Sequence, residues 1–66
     1  MTISVNGELK TFEPDTLTIQ ELIGEMKFAK GIAVALNETF VMRSKYSETK
    51  IKEGDRVDIL SPVQGG

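Results

Sequence analysis

The fold is decided by the stretch Thr18-Ile19-Gln20-Glu21-Leu22-Ile23-Gly24-Glu25-Met26, which predicts a single amphipathic helix. Thr18 and Glu21 have the spacing of a capping box, in which each side chain accepts a hydrogen bond from the other residue's backbone amide. The apolar residues recur at i, i+3, i+4 and i+7 and form one stripe: Ile19, Leu22, Ile23 and Met26. A sheet is needed to cover this stripe.

Two glycines qualify the helix prediction. Gly31 fits the residue that ends the helical region, which gives a helix of about three turns. Gly24, inside the helix, costs about 1 kcal/mol relative to alanine. We therefore expect Gly24 on the solvated face or where the helix approaches a strand closely.

An antiparallel hairpin is predicted before the helix. Residues 2–6 alternate between polar and apolar side chains, and Asn6-Gly7 favours a type I′ turn. The returning strand, residues 8–12, has Leu9 and Phe12 as its apolar members. Because they are three residues apart, strict alternation breaks, which predicts a bulge or an early end of the strand.

Three further strands are predicted after the helix. Residues 32–36 are an uninterrupted apolar run, which is typical of a strand inside a sheet, and residues 39–42 follow as a short strand. The last strand, residues 56–60, alternates so that Val57 and Ile59 face the core.

Polar segments connect these strands. Asn37-Glu38 and residues 53–55 predict turns, and Tyr46 is expected to anchor the polar segment 43–50 as a loop or a single helical turn. The order of elements predicts an α+β fold, with one mixed five-stranded sheet and one main helix packed on one face.

Composition excludes several classes of function. The chain has 66 residues, 39% of them hydrophobic and 27% charged, with a net charge of −2, as expected of one compact domain. It has no basic block and few aromatic residues, so we expect no nucleic-acid partner. The longest apolar run, residues 32–36, is too short to span a bilayer, and no signal peptide is evident. We expect no membrane partner and a cytoplasmic location.

The chain contains neither cysteine nor histidine. A disulfide, a thiolate nucleophile, a Cys/His metal site and a Ser-His-Asp or Cys-His arrangement are therefore impossible. We expect no catalytic residue and no metal ligand, because a small domain without histidine is poorly equipped for acid–base catalysis near neutral pH. The chain is predicted not to be an enzyme.

The C-terminal residues are Leu60-Ser61-Pro62-Val63-Gln64-Gly65-Gly66. Pro62 stops the strand pattern, which predicts a domain over residues 1–61 and a flexible tail over residues 62–66. Gly65 and Gly66 lack a Cβ and fit a channel that is too narrow for side chains. The alternative interpretation is an ordinary frayed terminus of small residues.

Together, the order of elements and the Gly-Gly end resemble the ubiquitin-like β-grasp fold and, within it, the ThiS/MoaD family of small bacterial sulfur carriers. The resemblance covers essentially the whole chain. Its matching segments are Val5-Asn6-Gly7, Thr18-Ile19-Gln20-Glu21-Leu22, Val34-Ala35-Leu36-Asn37, Val41-Met42-Arg43-Ser44-Lys45-Tyr46, Glu53-Gly54-Asp55-Arg56-Val57 and Gly65-Gly66.

The resemblance implies that the C-terminal carboxylate of Gly66 is adenylated by a ThiF-like activating enzyme and then converted to a thiocarboxylate. The sulfur would come from a cysteine desulfurase or another donor and pass to a ThiG-like thiazole synthase. Gly65 and Gln64 would thread the tail into a partner's active site. The chain itself would bind no cofactor, because the activating enzyme uses the ATP.

Partners in such a family need a docking surface. We expect it on the sheet face opposite the helix, near the end of the last strand, with Leu60 and Val63 as apolar contacts. Phe40 and Met42 are further candidates, for which the alternative is packing in the core or in a loop.

Two alternatives to a thiamine-pathway carrier stay open at the level of sequence. The Pro-Val-x-Gly-Gly ending is closer to the molybdopterin-synthase small subunit, whereas the length and the middle motifs favour the thiamine carrier. A MoaD-type carrier for molybdopterin, tungstopterin or another thiolated product is therefore one alternative. A ubiquitin-like modifier or a binding module whose tail is never activated is the other.

Overall fold

The part of the chain that the structure describes contains one α-helix, one 3-10 turn and seven strands, two of which have only two residues. The structure is a computed structural model, and it describes residues 1–27 and 32–60. In chain order the elements are β1 (Thr2–Val5), β2 (Glu8–Thr11), β3 (Leu17–Thr18), α1 (Ile19–Met26), β4 (Ala33–Leu36), β5 (Thr39–Val41), β6 (Lys50–Ile51) and β7 (Arg56–Leu60).

Five of these strands form one mixed sheet in the order β2-β1-β7-β4-β5. The last strand, β7, lies at the centre, parallel to β1 and antiparallel to β4. The β1–β2 and β4–β5 pairs are antiparallel hairpins. This topology confirms the predicted mixed five-stranded sheet, and it holds the strand that leads to the C-terminus between two neighbours.

The core lies between the sheet and α1. Val57 is fully buried and Ile59 is nearly so, which confirms the alternation predicted for the last strand. The helix contributes Ile19 and Leu22, both fully buried, while Ile23 and Met26 are partly buried against the same cluster. The sheet residues that complete it on this face are Ile3, Val5 and Val34.

Helix α1 begins as predicted and ends earlier. The Glu21 amide donates to Thr18 Oγ1 at 3.0 Å and the Thr18 amide donates to Glu21 Oε1 at 2.9 Å, which confirms the capping box. The predicted length of about three turns is wrong, because the helix has eight residues. Lys27 adopts a left-handed conformation (φ 58°), and its amide bonds to the Gly24 carbonyl, which closes the helix. Gly31, the predicted end, lies outside the described residues.

Gly24 lies on the solvated face of α1. A Cβ built on it meets no atom within 4 Å, so the alternative of close approach to a strand is wrong. We therefore predict that Gly24→Ala raises the free energy of unfolding by about 0.5–1 kcal/mol, because alanine has the higher helix propensity. Urea unfolding would measure the change.

Gly7 provides a matched control for this substitution. A Cβ built on Gly7 likewise meets no atom within 4 Å, but the φ of this residue is +85°. Gly7→Ala should therefore lower stability through backbone strain alone. Equal effects at the two positions would contradict the explanation by propensity.

The alternation break in the second strand has a simple explanation. The register pairs Ser4 with Leu9, so Leu9 points away from the core, while Phe12 lies beyond the end of β2 and packs partly buried against the core. The strand ends early at Thr11, as one of the two predicted outcomes, and no bulge is needed.

A second, two-stranded sheet was not predicted from the sequence. It pairs β3 with β6 antiparallel, with Leu17 opposite Ile51 and Thr18 opposite Lys50. Two-residue strands are too short to show a period, so no sequence pattern marks them. Between β5 and β6, a 3-10 turn at Arg43–Lys45 precedes buried Tyr46, which confirms the predicted anchored turn.

Two turn asparagines hold the central strand at its two ends. Asn6 (φ 53°) and Gly7 (φ 85°) form the predicted turn of the first hairpin, and Asn37 (φ 51°) opens the second. At both turns the backbone leaves the sheet, so no backbone carbonyl is available for the next amide of β7. The asparagine side-chain oxygen accepts from that amide instead. Asn6 Oδ1 accepts from the Ile59 amide at 2.7 Å, and Asn37 Oδ1 accepts from the Arg56 amide at 2.9 Å.

The described part of the chain contains no helix with the length and apolar character needed to cross a membrane.

Candidate functional site

Most of the predicted tail site lies outside the described residues. Gly66, Gly65, Gln64 and Val63 belong to residues 61–66, which the structure does not describe. The structure does describe the strand that leads to them. β7 ends at Leu60 between β1 and β4, and Ile59 beside it is only 4% exposed, so the point of departure of the tail is fixed by the sheet.

The face of the sheet opposite α1, here called the open face, collects side chains from three neighbouring strands. Alternation along β7 places Asp58 and Leu60 on this face, because Val57 and Ile59 face the core. The register then sets Ala33 of β4 beside Leu60 and Ala35 beside Asp58. On β5, Phe40 pairs with Ala35 and therefore shares the open face.

Met42 extends this arrangement by one residue. It follows β5 with an extended backbone (φ −71°, ψ 146°), so it continues the alternation begun by Phe40 and Val41. Val41 pairs with Val34 on the core face, and the next antiparallel position sets Met42 beside Ala33. Met42, Ala33 and Leu60 thus lie in one row across the sheet.

These side chains form an apolar patch, defined by Ala33, Ala35, Phe40, Met42 and Leu60. Its three large members are 66% (Phe40), 60% (Met42) and 72% (Leu60) exposed. The alternative of core packing for Phe40 and Met42 is therefore wrong. Small alanines lie between the large side chains, so the patch is a shallow surface with raised apolar edges.

A charged network borders the patch along β7. Arg56 Nε donates to Asp58 Oδ2 at 2.9 Å, and a second guanidinium nitrogen of Arg56 lies 3.3 Å from Glu38 Oε2. Exposed ion pairs of this kind contribute only about 0–1 kcal/mol to stability. Their effect at this position is to separate the apolar patch from the β1–β2 half of the open face.

Leu9 is a surface residue, although the sequence pattern predicts it only as an apolar member of the second strand. It is 77% exposed and pairs with Ser4, so it lies on the open face across the charged network from the apolar patch. The signal was present in the sequence. A two-residue turn at Asn6-Gly7 sets Leu9 opposite Ser4, out of phase with Ile3 and Val5.

The described residues offer an exposed apolar surface for binding. Within residues 1–27 and 32–60, no group of three or more acidic side chains is placed to hold a metal ion. The arrangement that does exist is an apolar patch next to the strand from which a Gly-Gly tail continues. An exposed apolar patch of this kind is a surface on which a partner can dock.

Comparison with known proteins assigns the family. A family model described as the ThiS family matches residues 3–66. The chain belongs to the ThiS family. The match covers the helix, all the strands except Thr2 of β1 and, in sequence, the Gly65-Gly66 end.

Similar proteins agree with this ThiS family assignment. The sulfur carrier protein ThiS of Thermus thermophilus is 35% identical over 63 residues, which cover 94% of this chain and 95% of that protein. The crystal structure of a thiamine biosynthesis protein (ThiS) from Geobacter metallireducens superposes with a TM-score of 0.88 at 32% identity, over the full length of both chains. This structural likeness confirms the predicted β-grasp fold.

One similar protein is much longer than this ThiS family chain. A thiazole synthase of Paramagnetospirillum magneticum is 30% identical over 67 aligned positions. These cover 100% of this chain and 20% of the synthase, so the chain spans about a fifth of that relative's length.

Proposed function

We propose that this chain is a sulfur carrier for thiamine biosynthesis. The observation that carries the proposal is the ThiS family match through Gly66, together with the Thermus thermophilus sulfur carrier protein ThiS, 95% of which aligns with this chain. Solved structures named for thiamine biosynthesis, together with relatives named sulfur carrier protein ThiS and thiazole synthase, favour this function over a MoaD-type carrier. The same names disfavour the other alternative, a ubiquitin-like modifier or a binding module whose tail is never activated.

The chemistry would take place on the C-terminal carboxylate of Gly66. A carboxylate is a poor electrophile, so ATP first converts it to an acyl-adenylate with release of pyrophosphate. Hydrosulfide then attacks the acyl carbon, AMP leaves, and a thiocarboxylate results. A persulfide donor would instead give an acyl disulfide, from which a thiol reductant releases the thiocarboxylate by cleaving the S–S bond. The chain has no cysteine, so the sulfur is held on the end of the backbone and not on a side chain. The carrier is then a co-substrate of other enzymes.

The tail would extend from a strand that the sheet holds in place. β7 is held between β1 and β4 as well as by the Asn6 and Asn37 side chains. Beyond Leu60, Gln64 and Gly65 would enter the partner's active site, and glycine next to the acyl carbon leaves that carbon open to attack. A rigidly held strand followed by a narrow Gly-Gly end would allow the acyl carbon of Gly66 to enter several active sites in turn.

A thiazole synthase is the partner we propose for the apolar patch. In the Paramagnetospirillum protein named thiazole synthase, a segment similar to this whole chain is part of the same polypeptide. The fusion of a carrier-like segment to a thiazole synthase in one organism supports a non-covalent complex of the two proteins in another. A ThiF-like adenylating enzyme and a cysteine desulfurase or other sulfur donor are proposed from the chemistry alone. Because activation uses ATP, we place the reaction in the cytoplasm.

A charge in the apolar patch should disrupt docking. We predict that Leu60→Asp weakens binding to the thiazole synthase of the same organism by about tenfold or more, because the complex would bury an unpaired carboxylate. Val63 is proposed as a neighbouring contact. Isothermal titration calorimetry with the purified synthase would measure the dissociation constant.

Leu9→Asp is the matched control for the Leu60 substitution. Leu9 is as exposed as Leu60, lies on the same open face and receives the same charge, but it is outside the apolar patch. Its substitution should change the dissociation constant little, and both variants should keep the wild-type melting temperature. Equal losses at the two positions would point to general charge repulsion and not to docking through the patch.

The proposed function is tested by the mass of the carrier after incubation with ATP, an activating enzyme and a sulfur donor. Oxygen-to-sulfur exchange and methionine oxidation shift the mass almost equally, so the position of the shift has to be found. Trypsin separates the two events, because the C-terminal peptide after Arg56, residues 57–66, contains no methionine. A shift on that peptide supports a thiocarboxylate at Gly66, and an unchanged peptide with every activating enzyme tried would refute sulfur transfer.

A further inference from the structure

The three methionines of the chain have different surroundings. Met1 and Met26 are partly buried and pack against the core cluster, whereas Met42 is 60% exposed in the apolar patch. An exposed thioether is reached by hydroperoxides more readily than a buried one. Met42 is therefore the methionine that a hydroperoxide reaches first.

From this difference, we propose that Met42 is a reversible oxidation site that controls docking at the apolar patch. The sulfur of Met42 takes the terminal oxygen of a hydroperoxide and becomes a sulfoxide, while the peroxide is reduced to water or an alcohol. The sulfur loses two electrons, and the peroxide bond that breaks takes them up. The inference rests on the docking surface proposed above.

The position of Met42 determines the consequence of its oxidation. It lies in one row with Ala33 and Leu60, with β4 between it and β7, the strand that leads to the C-terminal residues. The sulfoxide is a polar acceptor in an otherwise apolar surface, and a partner that covers it has to leave it without a hydrogen bond. Oxidation thus weakens docking, while the Gly66 carboxylate stays intact.

Reversibility follows from the chemistry of the product. Methionine sulfoxide is returned to the thioether by dedicated reductases, each acting on one epimer. Since Met42 is exposed and lies outside the core, the fold is expected to survive both forms. Docking would then respond to peroxide without unfolding or loss of the carrier.

The experiment uses the full chain with an unmodified Gly66 carboxylate, so that only methionine can be oxidised. Hydrogen peroxide is titrated in, and trypsin places each methionine in its own peptide: Met1 in residues 1–10, Met26 in residues 11–27 and Met42 in residues 31–43. Binding to the purified thiazole synthase is measured on the same samples. We expect Met42 to oxidise first, the affinity to fall about tenfold or more, and a sulfoxide reductase pair to restore it.

Two variants separate the effect of Met42 from general damage. Met42→Leu keeps an apolar side chain of similar size but has no sulfur to oxidise at this position, so peroxide treatment should leave the affinity of this variant at its own untreated value. Met26→Leu should lose affinity on treatment as the wild type does. Circular dichroism would check that every sample remains folded.

The outcomes distinguish this inference from the docking on which it rests. If the untreated chain does not bind the synthase, the proposed docking is overturned and the oxidation site with it. If the untreated chain binds, three results overturn the oxidation site alone: earlier oxidation of Met1 or Met26, binding that survives Met42 oxidation, or loss of binding by treated Met42→Leu.

Discussion

A chain that lacks Gly66 is expected to form no thiocarboxylate and to melt at the wild-type temperature. Deletion moves the terminal carboxylate back by one residue, about 3.3–3.6 Å along an extended tail. The reacting acyl carbon then falls short of its place in the activating enzyme, where an error of about 1 Å can already cost about a hundredfold in rate. The measurement is the mass of the C-terminal tryptic peptide after the activation reaction.

Stability should not change in this variant, because the buried residues of the described core all lie between Ile3 and Ile59. Ser61→Ala serves as the control, since it changes the same terminal segment without changing its length. It should acquire sulfur as the wild type does. Sulfur on the shortened chain, or a large fall in its melting temperature, would contradict the proposed role of Gly66.

Loss of the Asn6 side chain is expected to lower the free energy of unfolding by about 1–3 kcal/mol. Asn6→Gly keeps the left-handed turn but removes the side chain whose oxygen accepts from the Ile59 amide, so the partly buried amide is left without its partner. A domain of this size has a total stability of roughly 3–10 kcal/mol, so the loss is substantial. Urea unfolding would measure it.

Aspartate provides the matched control at both turns. Asn6→Asp keeps an acceptor oxygen and a residue that tolerates positive φ, so it should stay close to wild type. Asn37→Asp should lose more, because Asn37 Nδ2 donates to Asp55 Oδ1 at 3.2 Å and the new carboxylate would face another one. If Asn6→Gly and Asn6→Asp are equally stable, the side-chain bond to β7 contributes nothing.

The sequence predicted those elements whose cause is local. The capping box of Thr18 and Glu21, the positive-φ turn at Asn6-Gly7 and the burial of Val57 and Ile59 follow from spacing within a few residues. The sequence-based predictions failed where the structure is not decided by neighbouring residues. The helix ends at Lys27, a residue with no preference for the left-handed conformation, so its sequence did not mark the end.

The candidate site likewise has one part that the sequence predicts and another that only strand pairing decides. Leu60 was predictable as a residue on the open face, because strand alternation assigns its direction. The placement of Leu60, Ala33 and Met42 in one row depends on the pairing of β7 with β4 and of β4 with β5. Residues so far apart in sequence are brought together by strand register, which a single sequence does not state.

The sequence by itself determined a helix with one apolar stripe, alternating strands that could cover it, and a chain without cysteine or histidine that ends in Gly-Gly. These properties depend on side-chain period, turn chemistry and residue type, all of which are local. Only the tertiary structure placed β7 at the centre of the sheet, joined β3 to β6 and gathered Phe40, Met42 and Leu60 on the open face. Those features depend on which strands pair and in what register, and that choice is made by burial of the whole core at once.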